Sequence, residues 1–384
     1  MNEAGVARLA ALAANGTIQR VTELLQKDRG GPWLVGGAIR DLLLGRRPAG
    51  FDFLATCNVL TVAPILAKEL SAPWEMTDRS FRHATIRHSE GLLTVTNLSS
   101  AETIEENLSR RDFTMNSLAL DMGELFARPV PRVIDLRQGM ADLEQKLLQP
   151  CTWRGLLDEP ARILRGIRFQ QEIGCKMPSM ARSQVTSGKV RELQNLDIEF
   201  WEELLPLLAI GDEEVDRQLT SLEIGPSVIR LSQGGASGER GAMALSQLRS
   251  LLSPLSWSRT EQKKQVEQVN EEWGREVRLL LLLLSEEAGK ADFVDELAGK
   301  GAPEDFLERV LALHTTAVQL RRQGFPWHKP KHCELTGVAG AAALYVAAHS
   351  LTDVEEGRKN VPAGPEPGTL ARRALTELLR SPKR

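Results

Sequence analysis

Short apolar runs alternating with helix-period stretches mark a mixed first part of the chain, and helical spacing dominates the remainder. Val6 to Leu25 repeats apolar positions at helical spacing and predicts one amphipathic helix. Trp33-Leu34-Val35 is long enough for a buried strand. Gly36-Gly37 follows, and Ala38 to Leu44 has helical composition ending at Gly45, a C-cap residue. After the polar turn Arg46 to Ala49, Phe51 to Ala55 reads as a second strand and Leu60 to Leu70 as a helix. Strands near Ala84-Thr85-Ile86 and Leu92 to Leu98 flank a hairpin turn at Ser89-Glu90-Gly91. Residues 206–320 read as helices with an acidic bias, interrupted by a Gly/Ser-rich loop from Ser232 to Gly241. Leu279 to Leu284 and Phe306 to Val318 are the expected core helices there. Leu335 to Ala348 and Leu370 to Leu379 are expected tail helices, separated by a Pro/Gly loop from Asn360 to Gly368.

Composition narrows the class. The 384 residues suffice for two or three domains, and 42% hydrophobic with 26% charged content is that of a soluble globular protein. Net charge is −3, so contact with nucleic acid requires a local patch. Residues 151–191 supply one, with eight Arg or Lys against three acids. Cys57, Cys151, Cys175 and Cys333 form no CxxC pair, which argues against structural zinc or a disulfide framework and suits a reducing cytoplasm. The start lacks signal-peptide features, and the longest apolar run, Leu279 to Leu284, is far below the roughly 20 residues of a membrane span. The six histidines lack metal-ligand spacing.

Strand, glycine pair, helix, strand is a plan for holding a phosphorylated ligand. Glycines let the backbone approach closely, and free N–H groups at a helix start favour an anion. Further on, Arg110-Arg111-Asp112-Phe113-Thr114-Met115-Asn116 combines arginines suited to phosphate oxygens with a carboxylate that fixes their geometry. Asp158 reads as a helix N-cap with Pro160 in the first turn. Arg162, Arg165 and Arg168 then recur every three residues as a basic stripe. Arg321, Arg322, Lys329 and Lys331 surround Phe325 and Trp327, a mixture that can grip RNA through phosphates and stacking. A solvent-exposed connector accounts for that segment equally well.

These stretches together resemble the class II tRNA nucleotidyltransferases and related bacterial poly(A) polymerases. GGAIRDLLLG, a short loop and an acidic strand match the first signature. Ile104 to Asn116 matches the second; Val133 to Leu147, with Asp135 and Asp142 in structural roles, follows the head-to-neck bridge; Leu157 to Phe169 matches the fourth. The resemblance covers about residues 30–175. It implies an α+β fold: a nucleotidyltransferase head with a small mixed sheet and flanking helices, then an all-helical neck, body and tail. The expected divisions are an N-terminal helix (1–27), head (28–150), base-reading neck (151–205) and RNA-binding body and tail (206–384).

The implied reaction is template-independent addition of nucleotides from ATP or CTP to an RNA 3′ end, tRNA being one such substrate, in the cytoplasm. On this resemblance Asp52 is the catalytic and Mg²⁺-binding residue. Gly36, Gly37, Arg40, Arg110, Arg111, Asp112 and Asn116 serve the sugar and triphosphate or their support, with Arg40 and Asp41 alternatively a structural pair. Glu159 and Arg162 face the base; Arg165 belongs to the nucleotide site and Arg168 to the RNA-facing surface. Three customarily acidic positions differ: Gly50 replaces the first aspartate of Asp-x-Asp, Thr94 or Thr96 replaces a hairpin acid, and Asn107 replaces an aspartate. A non-catalytic relative that binds RNA or nucleotide is therefore the competing expectation. On this alignment Gly50→Asp is expected to raise turnover.

Overall fold

In the computed structural model of the chain, the described residues are 3–26, 31–76, 82–99, 101–128, 130–159, 161–184, 198–222, 238–252, 260–283, 292–299, 301–322 and 341–348. They fall into two compact units, Met1–Arg162 with Glu172–Gln184, and Ile163–Gln171 with Val185–Arg384.

The first unit opens with α1 (Glu3–Ala10), a 3₁₀ turn (Ala11–Ala14) and α2 (Gly16–Leu25). The single helix expected over Val6 to Leu25 is thus broken. Asn15 adopts extended backbone and its side chain accepts from the Ile18 N–H at 2.9 Å, starting a new helix. An asparagine satisfies such a terminal donor better than it serves a helix interior.

β1 (Trp33–Val35), α3 (Gly37–Leu43), β2 (Gly50–Ala55), α4 (Val59–Glu69), β3 (Trp74–Met76), β4 (His83–His88), β5 (Gly91–Asn97) and α5 (Ile104–Ser109) follow. A 3₁₀ turn at Thr114–Asn116 leads to β6 (Leu118–Asp121), α6 (Met122–Ala127), β7 (Val133–Asp135) and α7 (Gly139–Glu144). The seven strands form one sheet in the order β3-β4-β5-β2-β1-β6-β7. β2 and β5 pair in parallel and every other neighbour is antiparallel.

Alternation along β2 gives the sheet two unlike faces. Phe51, Phe53 and Ala55 join Leu34, Ile86, Leu93, Val95 and Leu120 in the main core, under Leu9, Ile18, Val62 and Leu66 of α1, α2 and α4. Burying each of the large aliphatic and phenyl side chains among them contributes roughly 1.5–3 kcal/mol. Gly50, Asp52 and Leu54 take the opposite face. There Val35, Leu54 and Ala119 pack with Ile104 and Leu108 of α5, which leaves Asp52 beside a small apolar patch.

α8 (Gly155–Asp158), α9 (Ala161–Ile173) and α10 (Ser179–Gln184) come next. Asp158 is the last residue of the one-turn α8 and Glu159 after it is extended, so α9 starts at Ala161 rather than directly after Asp158. Pro160 lies outside the described residues.

The second unit contains α11 (Ile198–Ile210), α12 (Glu213–Ser221), α13 (Gly238–Leu252), α14 (Thr260–Leu283), α15 (Asp292–Gly299), α16 (Glu304–Arg322) and a helical stretch at 341–348. Leu279, Leu280 and Leu281 are fully buried in α14, and Phe306 packs its ring 6.2 Å from that of Trp201, so both expected core helices are present. The predicted loop from Ser232 to Gly241 instead becomes helical from Gly238. The loop at Asn360 to Gly368 and the helix at Leu370 to Leu379 lie outside the described residues. No described helix is long and apolar enough to cross a membrane.

Candidate nucleotide site

Gly36 shapes the turn after β1. Its φ of 75° lies where side chains are disfavoured, and a Cβ there would stand 2.8 Å from Arg111 Nη1. Glycine suits that backbone, and a side chain there would also displace the tip of Arg111. The Gly36 N–H donates to the Leu118 carbonyl at 3.0 Å, so this amide serves the sheet. Gly37 begins α3.

Arg111 follows α5 and brings its guanidinium against that turn. Its Nε is buried without a hydrogen-bond partner. Burial lowers the Arg111 pKa, opposed by the negative charges of Asp52 and Asp112. Asp52 is in register with Val35 on one side and Thr94 on the other. Its carboxylate reaches solvent but is hemmed in by surrounding protein, and this desolvation raises its pKa. Arg111, a hydrogen bond from Thr94 and His83 oppose the rise. His83 Nδ1 in turn lies 2.8 Å from Thr96 Oγ1.

The second signature is braced on several sides. Thr103 and Glu106 form a capping box at the start of α5. Asp112 accepts from the Phe113 N–H at 2.6 Å and from Asn116 Nδ2 at 3.0 Å. Arg40, buried, donates from Nη1 to Asn116 Oδ1 at 2.8 Å and from Nε to Asp41 Oδ1 at 2.9 Å. Arg110 pairs with Glu102, which also accepts from Asn107 Nδ2 at 3.2 Å. Asp142 accepts from Thr114 Oγ1 at 2.6 Å, while Asp135 accepts from the Gly139 and Met140 N–H groups.

Arg162 joins this group. Its Nη2 donates to the Arg110 carbonyl at 2.9 Å and to Glu159 Oε1 at 2.7 Å, and its Nε is buried without a partner. The Cys151 N–H donates to the Asp112 carbonyl at 3.0 Å, tying the segment before α8 to the second signature. Burial pushes the Cys151 thiol up to about 11.

Arg165 and Arg168 are differently occupied. Both belong to the second unit, where buried Glu203 accepts from Arg165 Nε at 2.6 Å and Arg168 Nε at 2.9 Å. Arg321 and Arg322 are the last residues of α16, and Lys329 and Lys331 lie outside the described residues. The sequence passed over Thr94 as a partner of Asp52 and Glu102 as a partner of Arg110. Register with β2 identifies the first; the second stood eight residues before Arg110 without a motif to mark it.

The two Mg²⁺ ions that the resemblance implies do not fit these residues. Such a pair needs several carboxylate oxygens in strict geometry. At Gly50 a Cβ would stand 2.6 Å from the Leu92 carbonyl oxygen and 3.1 Å from Leu92 Cβ, so the first aspartate has no room without backbone movement. A Gly50→Asp side chain, expected above to raise turnover, would therefore have to shift the Leu92 backbone to enter the motif. Thr94 bonds the one acid left, while Asp112 and Asp41 face protein donors. Among the described residues no group of three or more His, Cys, Asp or Glu could hold a metal.

Sheet order, glycine turn and the adjoining arginine signature define a nucleotidyltransferase-type head. Residues 32–149 match the poly(A) polymerase head domain. The CC-adding tRNA nucleotidyltransferase of Synechocystis is 31% identical over 137 residues, 35% of this chain and 31% of that protein. Poly(A) polymerase I of Escherichia coli O157:H7 is 30% identical over 213 residues, 47% of this chain and 42% of that protein. It is the head, residues 32–149, that carries this likeness to class II tRNA nucleotidyltransferases and bacterial poly(A) polymerases. The chain spans about a third to a half of the length of the curated relatives it matches. The fold likeness is wider: a CCA-adding enzyme solved with ATP superimposes with a TM-score of 0.61 at 16% identity, over 99% of this chain and 95% of that one.

Proposed function

We propose that this protein binds a nucleoside triphosphate, ATP or CTP, in its head together with an RNA 3′ end, tRNA foremost, and that its site is built for binding rather than for rapid transfer. The ligands are those of template-independent RNA 3′-end nucleotidyltransferases, the activity of its named relatives. Related folds have been solved with a primer tRNA and an ATP analogue and with CTP. The observation that carries the reading is Arg162. It bridges the Arg110 carbonyl and Glu159 while keeping a buried, unpartnered Nε, a donor suited to an acceptor on the base edge. Gly36, Gly37 and Arg111 form the triphosphate side; Arg110, Asp112, Asn116 and Arg40 hold that side in shape. The scattered cysteines suit a cytoplasmic setting.

Rapid transfer requires the RNA 3′-hydroxyl to be activated and the departing pyrophosphate steadied. Of the Asp-x-Asp pair only Asp52 keeps a carboxylate, Gly50 standing at the other position, and that carboxylate faces Arg111 and accepts from Thr94. The rival reading is a working transferase, favoured by the retained Arg110-Arg111-Asp112 and Arg162 signatures. Incubation of the full chain with labelled ATP or CTP, tRNA lacking its terminal CCA or a generic RNA, and Mg²⁺ or Mn²⁺ decides between them. Binding of nucleotide and RNA without incorporation is expected; multiple-turnover incorporation would establish the transferase instead.

A further inference from the structure

We infer that the Arg111 guanidinium supplies the counter-charge that divalent ions provide in related heads, so that this head binds nucleoside triphosphates without a metal ion and Asp52 is the partner of that arginine rather than a metal ligand. The inference rests on the nucleotide-binding reading above and departs from it in the charge that holds the phosphates.

Position is the first argument. Arg111 Nη1 stands 2.8 Å from where a Gly36 Cβ would be, and Gly36 follows Val35, the residue in register with Asp52. The guanidinium therefore sits where the glycine turn meets the sheet face that carries the aspartate. Its unpartnered Nε is the second argument. A buried donor without an acceptor is uncommon, and phosphate oxygens satisfy a guanidinium well. Charge is the third. Asp52 and Arg111 together are neutral, so a dication gains little there, whereas a triphosphate meets a planar cation with several donors. Gly50 closes the remaining route, because the Leu92 carbonyl fills the space of a second acid.

The test is equilibrium binding of ATP, CTP and inorganic tripolyphosphate to the full chain by calorimetry, in EDTA and in excess Mg²⁺. ATP or CTP affinity in EDTA is expected within about threefold of that in Mg²⁺. Tripolyphosphate should compete with the nucleotide. Asp52→Asn should tighten binding in EDTA by roughly three- to tenfold, since Arg111 loses a competing anion. Arg111→Ala should weaken it by at least about tenfold, and Arg111→Lys should recover part of that loss. Thermal unfolding checks that each variant is folded; if Arg111→Ala is not, Asp52→Asn decides by its sign. Binding seen only with Mg²⁺, or weakened by Asp52→Asn, overturns the inference while leaving the nucleotide site standing. Absence of binding in both conditions overturns the nucleotide reading and this inference with it.

Discussion

Arg40 Nη1 donates to Asn116 Oδ1 at 2.8 Å, joining the first and second signatures across 76 positions of sequence. The same guanidinium pairs with Asp41, so a motif arginine acts as a strut beneath the site. Arg40→Ala leaves a buried aspartate and an asparagine without this partner. Breaking a buried pair of this kind costs about 3–5 kcal/mol. The urea midpoint should fall with an unchanged m-value, while ATP affinity of the folded fraction stays close to wild type. A large loss of affinity at wild-type stability would instead put Arg40 on the triphosphate.

Gly50→Asp and Gly50→Ala should behave alike. Both place a Cβ against the Leu92 carbonyl on the parallel neighbour of β2. Overpacking against backbone costs about 1–3 kcal/mol, so both variants should melt several degrees lower. Neither should gain nucleotide incorporation. Incorporation by Gly50→Asp at unchanged melting temperature would show that the strands part easily and that an aspartate is all the site lacks.

Cys151 gives the head a pH dependence. Burial raises its thiol from the ordinary 9.0 to about 11. Between those values the folded state holds a proton that the unfolded chain releases, so stability falls as pH rises from 9 to 11. The full loss is about 2–3 kcal/mol. Cys151→Ser should flatten this part of the stability profile, measured by urea unfolding at stepped pH. In the native protein the thiol should resist iodoacetamide near pH 8, because little thiolate is present.

Glu203 should matter to stability more than to RNA. It holds both Arg165 and Arg168 within the second unit, and its own side chain is almost wholly covered. Glu203→Ala leaves two partly buried arginines without that carboxylate and should destabilise by about 3–5 kcal/mol. Arg168→Ala should likewise lower the melting temperature and leave the salt dependence of RNA affinity unchanged. A reduction of that salt slope by about one would make Arg168 a phosphate contact.

Much of the head was legible along the chain because its signals are local. The apolar run at Trp33 to Val35, the glycine pair, the hairpin turn before Gly91 and the Arg-Arg-Asp string each depend on neighbours within a few residues. The breaks were less visible. Asn15 interrupts a continuous helical pattern because one side-chain oxygen at a helix start outweighs the periodicity around it. Gly238 to Gly241 have loop composition yet begin α13, a helix whose buried Ala244, Leu245 and Leu248 recur at helical spacing further along.

Residue order by itself pointed to the likeness of the head, to the elements around the glycine pair and to the side chains with the chemistry to meet a nucleotide. Folding decided which partner each charge takes. Arg111 reaches the turn at Gly36, Thr94 comes alongside Asp52, and Glu203 occupies Arg165 and Arg168. The reason is physical: register between strands distant in sequence is set by burying one whole face of the sheet, and the polar groups on the other face meet whatever that register brings opposite.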